Sequence, residues 1–150
     1  MGRLDAEGYK RDVGLAQPTP LDDSSKGSGG ALRRVSVLVI DDEVDTHELL
    51  ATILSAAGYT VATACNGHEA LMLLHTLRPE LILLDIQMPV MAGPEFRQAQ
   101  RRNQELIRIP TIVMTGSKEE PVLDPGVAHV LHKPFRAKEL LAAVGSLLHV

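Results

Sequence analysis

Short runs of almost purely aliphatic residues set the strongest limit on what this chain can fold into. VSVLVI (Val35–Ile40), LILL (Leu81–Leu84) and PTIVM (Pro110–Met114) are too short for helices and do not alternate with polar residues. A strand that is apolar throughout must be covered on both faces, which is the demand of a parallel sheet between two layers of helices. Shorter strands are expected at Thr60–Ala64 and at Val130 and Leu131. The intervals carry helical spacing. ELLATILSAAG places Leu49, Leu50, Ile53, Leu54 and Ala57 on one face, with Gly58 as a stop. Asn66 is an expected cap for a second helix with Ala70, Leu71, Leu74 and Leu77 inside, ended by Pro79. A third helix is expected from about Gly93 to Gln104, and a last one around Leu140, Leu141, Val144, Leu147 and Leu148.

Strand and helix alternate strictly, with one weak helix slot after the fourth strand. Alternation at this spacing implies right-handed βαβ crossovers. The expected architecture is an α/β, flavodoxin-like three-layer sandwich: five parallel strands in the order 2-1-3-4-5, with the fourth helix short or missing. Aromatic residues are 3% of the chain, so the core must be aliphatic. Residues 1–33 hold half of the 12 glycines and the turn-rich QPTPLDDSSKGSGG, with no sustained apolar period. They are expected to form a flexible N-terminal extension, and 34–150 the folded domain.

Charge and cysteine content narrow the function. Residues 1–34 carry six cations and five anions, and 35–150 carry nine and fourteen, giving the net −4 of the whole. An acidic domain with no basic reading helix argues against direct DNA binding. The single cysteine, Cys65, cannot form an internal disulfide, and is expected to be a half-buried, inert thiol. There is no signal-peptide core and no apolar run of membrane-spanning length, so a cytoplasmic protein without membrane contact is expected. The six histidines show no metal-ligand spacing and are expected mostly at the surface.

Ligands of such a sheet bind beyond the C-terminal ends of its strands. Strand one ends in Asp41, Asp42 and Glu43, strand three in Asp85 and strand four in Thr115; Lys133 and Pro134 follow strand five. Each residue alone has an ordinary explanation as a turn, cap or surface charge. Glu43 is expected in the first turn of helix one; the other three acids, a hydroxyl and an ammonium meet at one edge, with a residual charge of about −2 that a divalent cation would balance. Hard oxygen ligands suit magnesium, which keeps free positions for waters and phosphate oxygens. No GxGxxG or GxxxxGK[ST] loop is present to cradle a nucleotide.

At these residues the chain resembles the response-regulator receiver domains of bacterial two-component and phosphorelay signalling. The resemblance rests on VLVIDDE, LILLDIQMPVMAG, IVMTG and HKPF, in the right order, and covers Val35 to the end. It implies that Asp85 is the phosphoacceptor and that Mg2+ is the cofactor. It implies Asp42 as a direct metal ligand, Asp41 as one acting mainly through water, and the backbone carbonyl of Gln87 as a further ligand. Thr115 would hydrogen-bond the phosphoryl group, Lys133 would pair with it, and Pro134 matches a position that commonly follows a cis peptide bond. The implied donor is a phosphohistidine on a sensor histidine kinase or histidine phosphotransfer protein, and the output a changed interaction with an unknown downstream protein. The chain would not be an enzyme in its own right, although it would assist its own phosphorylation and dephosphorylation. No output domain follows the last helix in this sequence, so a stand-alone receiver is expected.

Two departures from the family pattern concern output. The aromatic residue often found three positions before the Lys is here Val130, and the Thr115–Lys133 interval is shorter than usual and contains Pro121 and Pro125. Proline inside a helix costs about 3 kcal/mol, so the fourth helix is expected to be one turn or absent. On this reading phosphorylation reshapes the 116–128 segment directly. Two other classes compete. A haloacid-dehalogenase-like magnesium phosphatase would need DxD where this chain has Asp41-Asp42-Glu43, and a cap domain for which there is no room. A phosphorylation-independent scaffold of the same fold would have no use for the full acidic set.

Overall fold

A computed structural model describes residues 32–88, 93–116 and 124–148. The elements run β1 (Arg33–Ile40), α1 (Val44–Ala56), β2 (Val61–Ala64), α2 (Gly67–Leu73), β3 (Leu77–Asp85), α3 (Gly93–Arg101), a short 3-10 turn (Leu106–Arg108), β4 (Thr111–Thr115), β5 (Val127–His132) and α4 (Ala137–Leu147). The five strands form one parallel sheet in the order β2-β1-β3-β4-β5, as expected from the alternation. The compact unit that holds it is Arg34–Val150. The expected extension over 1–33 falls almost wholly outside the described residues, as do residues 117–123, where the expected loss of a fourth helix would lie. Among the described residues no helix is long and apolar enough to cross a membrane.

The continuous apolar strands divide their side chains between two cores. Val37, Val39, Leu81, Leu83, Ile112 and Met114 face α1 and α4, where Leu50, Leu54, Leu140 and Val144 meet them. Leu38, Ile40, Ile82 and Leu84 face α2 and α3, where Ala70, Leu74 and Phe96 meet them. Every one of these residues is buried, which is why no polar alternation survives in β1, β3 or β4. The lone large aromatic of the second core, Phe96, is fully buried.

Several expectations need correction. Leu49 does not belong to the inner stripe of α1: it is 59% exposed, and the buried positions are His47, Leu50 and Leu54. The spacing 47, 50, 54 is the true helical period, and a histidine opens it. Helix α2 is capped by Asn66, whose side chain accepts from the Glu69 N–H at 2.8 Å, but it ends at Leu73, well before Pro79. Arg78 covers the chain after it, donating from Nη1 to the C-cap carbonyl of Leu74 (2.6 Å) and to the carbonyl of Leu77 (3.0 Å). Leu77 therefore opens β3, and Pro79 lies inside that strand, before Ile82, where pairing with β4 begins. A proline there removes no rung of the β3–β4 ladder. Helix α3 stops at Arg101, short of Gln104. Strand β5 is longer than Val130 and Leu131, spanning Val127–His132, and Val130 pairs with Val113.

A buried polar network ties α3 to the turn before β5. The guanidinium of Arg97 grips Asp124 with two nitrogens, Nε on Oδ1 at 3.0 Å and Nη2 on Oδ2, while Nη1 donates to Gln100 Oε1 at 2.8 Å. Gln100 in turn donates to the carbonyls of Leu106 (2.9 Å) and Ile109 (3.2 Å). The Arg97 pairing holds the Asp124 carboxyl below the usual carboxylate range.

Candidate functional site

The chain leaves β1 in one direction to form β2 and returns past it to form β3, so β1 and β3 are neighbours at the point where the topology reverses. Their C-terminal ends define a crevice. Asp41 closes β1, its N–H donating to Ala64 O on β2 at 3.1 Å. It is fully buried, while Asp42 is exposed. The Glu43 N–H turns back onto Asp41 Oδ1 at 2.9 Å, and Glu43 becomes the residue before α1, not a member of its first turn. Thr46 then donates to Glu43 Oε1 at 3.0 Å.

Asp85 closes β3 and is 4% exposed. The Gln87 N–H donates to its Oδ1 at 3.0 Å. One strand further, Thr115 closes β4 and is fully buried. Its carbonyl accepts the Lys133 N–H at 2.7 Å, which delivers Lys133 to the crevice directly after β5. The peptide between Lys133 and Pro134 is cis, as the resemblance implied. Lys133 Nζ bridges two carboxylates, Asp41 Oδ2 at 2.8 Å and Asp85 Oδ2 at 3.5 Å. Carboxylate oxygens of Asp41, Asp42 and Asp85 lie within 4.8 Å of one another.

The electrostatics follow from this packing. Burial pushes the Asp85 carboxyl up to about 6; the Gln87 N–H and Lys133 pull it down, and Asp41 and Asp42 push it further up. Burial opposes the charge on Lys133, but the hydrogen bond and attraction from Asp41, then Asp85 and Glu43, carry its pKa above the usual lysine value. Three carboxylates against one ammonium leave the crevice anionic, and all their free donors are hard oxygens. That donor set fits Mg2+, with Asp42 as the solvent-facing arm.

Asp41, Asp42, Asp85 and Lys133 therefore converge, Thr115 sits at the end of the adjoining strand, and Gln87 enters through its N–H. Two residues depart from expectation. Cys65 is exposed, not half-buried, because β2 ends one residue before it. His47 is 7% exposed, the exception to the mostly surface placement expected of the histidines, and its Nε2 donates to the main-chain carbonyl of Asp41. Its place on the 47, 50, 54 stripe was the available signal. Burial lowers its pKa, although Asp41, Glu69, Glu48 and Asp42 pull the other way.

Residues 37–145 match the family model of the response regulator receiver domain. The probable transcriptional regulator ycf27 of Cyanidium caldarium is 38% identical over 122 residues, 77% of this chain and 47% of that protein. The phosphate regulon transcriptional regulatory protein PhoB of Pseudomonas aeruginosa is 32% identical over 117 residues, 75% and 51% of the two chains. The chain spans about half the length of these curated relatives. Among solved structures, the chemotaxis response regulator CheY4 of Vibrio cholerae superimposes with a TM-score of 0.67 at 30% identity, covering 79% of this chain and all of that one. The response regulator TrrA of Thermotoga maritima, solved in complex with Mg(2+)-BeF, gives 0.68 at 31% identity, with 78% and 100% coverage.

Proposed function

The chain belongs to the response regulator receiver domain family, and on that footing we propose that it is a phosphorylation switch whose phosphoacceptor is Asp85. The observation that carries the proposal is the convergence of three carboxylates within 4.8 Å under one bridging ammonium, Lys133. Asp42, Asp41 and the Gln87 carbonyl would hold Mg2+, with Asp41 acting through water because its two carboxylate oxygens already accept from Lys133 and Glu43. When bound, the cation would offset negative charge on the phosphoryl oxygens.

Asp85 acts as the nucleophile. A carboxylate oxygen forms the new P–O bond in line as the P–N bond of a phosphohistidine breaks, and the electron pair of that bond stays on the departing imidazole nitrogen. With a pKa of about 6, most Asp85 is ionised at neutral pH and able to attack. Lys133 follows the charge: it faces Asp85 at 3.5 Å before transfer and pairs with the phosphoryl group after it. Thr115 donates its hydroxyl to a phosphoryl oxygen. The donor is a sensor histidine kinase or a histidine phosphotransfer protein. The roughly 1.5–2 added negative charges alter which protein the domain binds. The 116–128 segment beside Thr115 is the proposed route of that change, and most of it lies outside the described residues.

Incubation with acetyl phosphate and Mg2+ tests the proposal. One acid-stable, base-labile phosphoryl group per chain is expected, lost in Asp85→Asn. An undiminished adduct in that variant would move the site elsewhere. No adduct in the wild-type chain would leave a phosphorylation-independent interaction module.

A further inference from the structure

Helix α1 opens its buried stripe with a histidine where the core calls for an aliphatic residue. The next two stripe positions are Leu50 and Leu54, and His47 is buried with them at 7% exposed. A leucine would fill the space. It could not supply the polar contact that His47 makes, from ring Nε2 to the main-chain carbonyl of Asp41. A carbonyl can only accept, so Nε2 carries the hydrogen and donates.

The acceptor is what gives the contact meaning. Asp41 is fully buried, and it is held at three oxygens: Oδ1 by the Glu43 N–H, Oδ2 by Lys133, and the carbonyl by His47. The first two fix the side chain of Asp41. The third fixes the peptide that joins Asp41 to Asp42. That peptide is planar, so holding its oxygen also sets the plane in which Asp42 N and Cα lie. Asp42 is the exposed acid of the cluster, and its carboxylate still comes within 4.8 Å of those of Asp41 and Asp85. It stands past the end of β1, beyond the strand hydrogen bonds that would otherwise orient it.

We propose that His47 is a positioning residue for the cation, holding the Asp41–Asp42 peptide so that the Asp42 carboxylate meets the metal. The proposal rests on the receiver reading for the presence of a divalent cation. It adds a residue that touches neither metal nor phosphoryl group. Hydrogen-bond partners of metal-ligating groups typically change metal affinity by 10–100-fold when removed.

The test is Mg2+ titration of the unphosphorylated chain, followed by backbone amide shifts, in wild type, His47→Leu, His47→Asn and His47→Gln. The glutamine amide nitrogen reaches about as far as Nε2, and the asparagine one falls short. His47→Leu and His47→Asn should weaken Mg2+ binding about 10–100-fold, and His47→Gln should restore it. The Asp42 amide should shift in the first two variants even without Mg2+. Equal Mg2+ affinity in wild type, His47→Leu and His47→Asn overturns the proposal and leaves the receiver reading intact. If His47→Leu fails to fold, His47→Asn against His47→Gln makes the same comparison. Absence of Mg2+ binding at the acidic crevice in wild type overturns both.

Discussion

At the end of β3, burial and two neighbouring carboxylates oppose the charge on Asp85, whose folded-state pKa of about 6 stands above the ordinary 3.8. A raised carboxyl pKa stabilises the fold fully below pH 3.8, and that stability is lost as pH rises through 6. A shift of that size corresponds to about 3 kcal/mol. Metal-free Asp85→Asn should therefore be more stable than wild type at pH 7.5, by on the order of 1–3 kcal/mol, and no more stable at pH 3.5. Urea denaturation at the two pH values checks this, and a constant difference between them would contradict it. The acids and Lys133 were legible because Asp41 and Asp85 directly follow apolar runs, Asp42 and Lys133 come within two residues of one, and a parallel sheet gathers such positions at one edge. His47 was not legible as a buried residue, because histidine alone defaults to the surface and only its register with Leu50 and Leu54 says otherwise. Leu49 failed in the opposite sense: its hydrophobicity suggested the core, while helical rotation turns it outward.

Elements were easier to detect than to delimit. The strands of the sheet centre announced themselves, but the start of β3 did not, since Leu77 also suited the helix before it and Pro79 argued against a strand. At that boundary the Arg78 side chain donates to the C-cap carbonyl of Leu74 and to that of Leu77 in β3, contacts invisible in a hydropathy pattern. The cap at the other end of α2 was visible, and Asn66→Ala should cost about 1 kcal/mol, measured as a lower denaturation midpoint. The Arg97–Asp124 pair was not foreseen at all, because its partners are 27 residues apart. With side chains 5% and 14% exposed, it is a part-buried ion pair. Arg97→Ala leaves Asp124 without its cation, and should destabilise the fold by about 1–3 kcal/mol. Acid should narrow the gap as Asp124 takes up its proton. Gly93 is constrained differently: a methyl group there would lie 2.6 Å from Ile86 Cα and 3.1 Å from the Asp85 carbonyl. Gly93→Ala should push the α3 start away from the Asp85 loop, slowing phosphorylation by acetyl phosphate more than it lowers stability.

For the molecule as a whole, the proposed cation binding would be linked to folding, because the three acids meet only in the native sheet. Mg2+ at a hundred times its dissociation constant should add about 2.7 kcal/mol to stability. A thermal melt with and without Mg2+ checks this, and Asp42→Ala should remove most of the upward shift while folding normally, since Asp42 is exposed. The linkage also has a temporal side. The bond from Lys133 to Asp41 spans 92 residues of chain and joins the ends of two strands that β3 and β4 separate in the sheet. Pairings of such long range are intrinsically slow to form. A chain still lacking β5 would hold the proposed nucleophile, Asp85, without the ammonium of Lys133. On the proposed function, competence to receive a signal would then double as a check on the fold, since only a chain with its sheet complete would present both groups.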